Sequence, residues 1–152
     1  MQTWLLELWA APAALGFALL FNVPPRALWL CAGLAVLGHA ARKWVVFLQG
    51  DIVFATLAAA ILIGLIAEWW STRRNEPAII YAISAAIPMV PGTYMYKSVQ
   101  ALLGIASLPA TDSGQALLVA AGVSGVKAVM IVLALAFGIA APLLLWPKRN
   151  SI

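Results

Sequence analysis

Three side chains in one apolar stretch, His39, Arg42 and Lys43, stand at i, i+3 and i+4, so on a helix they share one face. Gln49 lies seven residues after Arg42 and continues that face. Such a basic patch inside a cavity suits a carboxylate. His39, with an ordinary pKa near 6.5, keeps proton transfer open. The competing readings are that Arg42 and Lys43 snorkel to a nearby membrane surface, and that His39 is a packed core residue. A second group follows the break Ile87-Pro88-Met89-Val90-Pro91-Gly92. Pro88 and Pro91 remove backbone donors and discourage helix in the residues before them, and Gly92 is expected to supply freedom to turn. A new half-helix would start after Gly92, with unpaired N–H groups and the positive end of its dipole facing an anion. Thr93 lies in its first turn, Tyr94 adds a hydroxyl and Lys97 a charge one turn on. A structural kink is the alternative. Lys127 is the third candidate. Its face carries Ala120, Ser124, Ala134, Gly138 and Ala141, small residues that favour helix contact over lipid. It either meets a ligand or pairs with Asp51 or Asp112.

Enzyme chemistry has little to work with. One His and one Cys fall in the same run, no glycine-rich phosphate loop occurs, and five acids are scattered without metal-ligand spacing. Glu7, Glu68 and Glu76 fall near expected membrane surfaces, where charges are ordinarily solvated. Cys31 alone permits no internal disulfide. No cofactor, metal or nucleic acid is expected.

The elements that must position these groups are membrane helices. Apolar residues make up 64% of the chain and charged ones 9%, against about 25% charged in soluble domains. The apolar residues form runs of about 20, enough to cross a bilayer core of about 30 Å. The sequence predicts an all-α, polytopic integral membrane protein of about five transmembrane helices in one domain over 1–152, the fourth helix broken at Pro88–Gly92. The spans are Thr3–Phe21, Ala27–Phe47, Ile52–Trp70, Pro77–Leu108 and Ala116–Leu145. The start lacks the basic region of a signal peptide, so the first run is expected to be retained. Trp4 and Trp9 suit an interfacial anchor, and Pro12 either kinks the first helix or ends a short interfacial turn. Asn22-Val23-Pro24-Pro25-Arg26 is a turn. Glu68-Trp69-Trp70 then Ser71-Thr72-Arg73-Arg74 reads as an aromatic belt and a basic loop.

The fourth element either crosses once or folds as a re-entrant hairpin. Five crossings put Arg26, Arg73, Arg74, Lys148 and Arg149 on one side, against Arg42 and Lys43 on the other. A hairpin nearly erases that bias. The positive-inside rule therefore favours five crossings, a cytoplasmic C-terminus and a periplasmic N-terminus.

Phe21-Asn22-Val23-Pro24 with Arg26, Gly38-His39 with Arg42, and Ile87-Pro88-Met89-Val90-Pro91-Gly92 with Tyr94 together resemble the ThrE-type threonine/serine exporter family. Within it the chain resembles the small separate subunit, YjjB-like, equivalent to the C-terminal part of fused exporters. The resemblance implies a bacterial inner-membrane exporter of small metabolites. Fused members imply threonine and serine efflux; the two-subunit form implies succinate export with a larger YjjP-like membrane subunit. Asn22, Pro24, Arg26, Pro88 and Pro91 are carried over as a structural motif. Gly92, Thr93, Tyr94, Lys97, His39, Arg42, Lys43 and Lys127 are the candidate substrate contacts, although Lys43, Lys97 and Lys127 lie outside the family pattern. The expected function is a transport subunit for a small carboxylate substrate in the lipid bilayer. Succinate comes first, since a dicarboxylate gains most from several basic groups, and threonine or serine second. A non-transporting assembly subunit is the rival, and homo-oligomerisation stays open.

Overall fold

The computed structural model describes residues 5–74, 76–109 and 114–145, and over these the fold is all-α. A 3-10 turn, Leu6–Trp9, leads into α1 (Ala10–Leu20). After a second 3-10 turn, Pro25–Ala27, come α2 (Leu28–Phe47) and α3 (Ile52–Arg74). Helix α4 (Ala78–Ala86) ends in the 3-10 turn Ile87–Met89; α5 (Gly92–Ala106) and α6 (Gln115–Leu145) complete the chain. Among the described residues three helices are long and apolar enough to cross a membrane, four when the pair either side of the break counts as one, and Glu7–Leu20 is a shorter apolar helix. These five elements are the five expected from hydropathy. Trp4, Asp112, Lys148 and Arg149 lie outside the described residues.

Helix ends follow local chemistry. Asn22 takes a left-handed conformation (φ 54°) just past α1. The Val23 N–H then donates to Ala18 O at 2.9 Å and the Asn22 N–H to Leu19 O at 3.1 Å, the two bonds of a Schellman cap. Asparagine tolerates this conformation better than most residues, and Pro24 prevents the helix from resuming. The same cap ends α2, with Gln49 left-handed (φ 62°) and Gly50 N–H on Val45 O. Gln49 is thus a cap residue and not a continuation of the basic helical face. Asp51 caps α3, its carboxylate accepting from the Val53 N–H at 2.8 Å. Pro12 lies in the first turn of α1, where a missing N–H costs nothing. Arg73 and Arg74 are helical, in the last turn of α3, and not in a loop as expected. There they oppose the negative end of the dipole, and they lie over the rings of Trp69 and Trp70.

The chain forms two compact units, 1–89 with 134–152, and 90–133. The first is built on small residues. Ala14 and Ala18 of α1, and Ala55, Ala59, Ala60 and Ala67 of α3, are buried. At Gly138 an added Cβ would stand 2.5 Å from Ala60 Cβ, so only glycine permits this approach of α6 to α3. Of the face expected to pack closely, Ala134 and Gly138 are buried, whereas Ala120 and Lys127 are exposed. In the second unit α5 and the start of α6 run antiparallel: Ser98 Oγ donates to Ala121 O at 2.9 Å, and Gly104 lies against Leu117.

Candidate functional site

The first unit holds two polar clusters at opposite ends. At one end Glu76 accepts from Arg26 and from the hydroxyl of fully buried Tyr81. This ties the Asn22–Arg26 turn to the start of α4, which explains Arg26 as a structural residue. It also sets the turn after α1 and the loop after α3 on the same side, as alternating crossings require. Glu76 is only partly exposed, not freely solvated as expected.

At the other end Glu7, in the turn before α1, reaches the basic face of α2. Lys43 Nζ donates to Glu7 Oε1 at 2.9 Å, and His39 Nδ1 lies 3.0 Å from Glu7 Oε2. Glu7 is 22% exposed in its side chain and His39 13%, so this is a partly buried ion-pair cluster. Glu7 too was expected to be solvated. It lay inside a predicted span, however, and an ionisable group there is a functional candidate by default. Arg42, between His39 and Lys43 in sequence, donates from Nη1 to Met89 O at 3.1 Å. Arg42 and Lys43 therefore turn toward protein and do not snorkel outward.

Arg42 also fixes the break. Arg42 stands about 21 Å along α2 from Leu28. One turn earlier, Gly38 makes room: a Cβ there would stand 2.5 Å from Ile63 Cδ1 and 3.3 Å from Met89 Sδ. Met89 is fully buried. Gly38 and Arg42 thus hold the end of α4 at two successive turns of α2, with His39 between them.

The proton positions on His39 follow from its partners. A carboxylate only accepts, so Nδ1 carries the proton toward Glu7. Nε2 is buried and makes no hydrogen bond, although the Pro88 carbonyl lies beside the ring. A neutral His39 therefore leaves a bare acceptor there, and a proton on Nε2 would supply a donor.

The break is shaped differently from the expectation. The turn is made at Pro91 (φ −79°, ψ 55°), with the Gly92 N–H on Val90 O at 2.8 Å, an inverse γ-turn. Gly92 has no positive φ, and open space surrounds its missing Cβ. Its conformational freedom is unused, because proline alone satisfies this turn. The N–H groups of Tyr94 and Met95 both donate to Pro91 O. Helix α5 begins at Gly92 itself, one residue before the start expected, and the N–H groups of Gly92 and Tyr94 are spent on the chain's own carbonyls.

In the second unit Thr93, Lys97 and Lys127 are exposed, and Lys127 Nζ lies 5.9 Å from the centroid of the half-buried Tyr94 ring. Lys127 is three residues from the midpoint of α6. A lysine exposed to hydrocarbon there would cost about 3 kcal/mol on insertion scales.

The family described as "Threonine/Serine exporter, ThrE" matches residues 7–145. A protein of Haemophilus influenzae, described only as an uncharacterized protein, is 37% identical over 145 residues. The match takes in 95% of this chain and 48% of the relative, so the chain spans about half the relative's length. No solved structure matches.

Proposed function

The chain belongs to the threonine/serine exporter family, ThrE, and from that premise we propose that it is a subunit of an inner-membrane exporter of small carboxylate metabolites. Succinate or a similar dicarboxylate is the substrate of the leading reading. The observation that carries it is the Glu7 carboxylate, held by Lys43 Nζ and His39 Nδ1 beside Arg42. A substrate carboxylate that exchanges for Glu7 meets the same donors, which charge-assisted bonding favours. A second carboxylate would fall to Arg42 on the same helical face. His39 carries a coupling proton: with both ring nitrogens protonated, it donates to a carboxylate and to the neighbouring Pro88 carbonyl.

Threonine or serine export is the second reading, and Glu7 itself favours it. An acid among bases offers both poles of a zwitterion a partner. The partner of the exporter is a larger, YjjP-like membrane subunit. That the Haemophilus relative is about twice this chain's length supports a second part to the assembly. Arg26, Arg73 and Arg74, gathered at one end of the first unit, support a cytoplasmic position for that end, with the C-terminus cytoplasmic and the N-terminus periplasmic.

The test is efflux of labelled succinate and threonine from proteoliposomes holding this chain with its larger partner. Succinate is expected to leave faster than from empty liposomes. Faster threonine efflux selects the second reading. Neither solute moving, with an intact complex present, leaves an assembly subunit and ends the transport reading.

A further inference from the structure

The second unit carries a polar stripe that its own residues leave uncovered. Thr93, Lys97 and Gln100 recur at i, i+4 and i+7 of α5, so they share one face, and all three are exposed. Tyr94, one turn before Lys97, carries Lys127 over its ring. Neither lysine forms an ion pair with a described residue. The only acid in the sequence between 90 and 133 is Asp112, outside the described residues. Lys127 is about 18 Å along α6 from the helix start.

Two cations on apolar helices cannot face lipid without heavy cost. Exposed apolar side chains border them: Tyr96, Val99 and Leu103 on α5, Val123 and Met130 on α6. A charged centre with an apolar border is the pattern of a protein interface, where the border excludes water from the polar contact. The charge asks for an acid. We propose that Thr93, Lys97 and Gln100, with Tyr94 and Lys127, form the docking surface for a transmembrane helix of the larger partner subunit, and that this helix carries a carboxylate that pairs with Lys127. The proposal rests on the two-part exporter reading. It assigns Lys97 and Lys127 to assembly, leaving the Glu7 cluster to bind substrate.

The experiment co-expresses the tagged chain with the larger subunit and measures how much partner is recovered in mild detergent. Lys127→Glu is expected to lower recovery at least tenfold and Lys97→Glu to lower it less. Reversing one intramembrane acid of the partner to lysine should restore recovery with Lys127→Glu. The variants purified alone should keep wild-type helical circular dichroism and elution volume, which excludes misfolding. Gln100→Cys, in a Cys31→Ser background, should cross-link to the partner. Full recovery with Lys127→Glu, or cross-linking of that cysteine to a second copy only, overturns the docking surface. So does its labelling by a membrane-impermeant maleimide in the assembled complex. If the wild-type chain recovers no partner, the two-part reading falls and takes this one with it. If wild type and Lys127→Glu recover it equally, only the docking surface falls.

Discussion

Glu7→Gln separates a resident carboxylate that substrate displaces from one that merely holds two helices together. The variant keeps shape and one acceptor oxygen but removes the charge. The amide has a single acceptor oxygen, so of the two contacts, 2.9 Å to Lys43 and 3.0 Å to His39, one is lost and the other loses its anionic acceptor. Bonds to charged groups contribute about 1.5–3 kcal/mol against about 1 for neutral pairs. The Glu7 side chain is 22% exposed, so the lower end applies. The bond lost, about 1.5 kcal/mol, and the bond weakened, by about 0.5, together come to about 2 kcal/mol. That energy no longer opposes an incoming carboxylate, which corresponds to about a 30-fold lower KM for succinate. Maximal efflux should fall, because the charge that helps eject substrate is gone. For threonine the sign reverses: the substituted amide offers an ammonium group no opposite charge, so KM should rise. The assay is initial efflux against internal concentration in proteoliposomes, for both solutes, beside a thermal unfolding curve. A lowered melting temperature with both KM values unchanged would refute the exchange mechanism and leave Glu7 a structural link.

Gly38→Ala should destabilise the fold by about 1–3 kcal/mol through overpacking, since its Cβ would press on Ile63 and Met89; thermal unfolding of the purified chain reads this. Gly92→Ala, by contrast, should fold and transport like wild type, because neither φ nor space demands glycine there. A collapse in expression or efflux would mean that another chain approaches Gly92 in the assembled exporter. Asn22→Ala should cost about 1–2 kcal/mol in the left-handed cap, while Asn22→Gly should cost nothing, and paired melting curves decide between them. Tyr81→Phe removes a buried hydroxyl from Glu76 and should cost about 1 kcal/mol. An unchanged melting temperature would mean that Arg26 alone holds the α4 start.

The sequence by itself determined the class and the elements. Long apolar runs must become helices in lipid, because every backbone group there has to be satisfied within its own segment. Some ends were equally local: the Asn22–Arg26 turn closes α1 and Pro88 with Pro91 marks the break, whereas Gln49, read as part of the basic face, is the cap of α2. The common face of His39, Arg42 and Lys43 followed from helical spacing alone. What that face touches did not. Glu7 lies 32 residues from His39 and Glu76 lies 50 from Arg26, and nothing in local sequence links such pairs. Only packing of α1 and α4 against α2 placed a carboxylate on Lys43 and a carbonyl on Arg42. Gly92 shows the same limit from the other side. Its residue type pointed to a flexible turn, but the folded backbone made the turn with Pro91, whose ring already holds the φ that an inverse γ-turn needs.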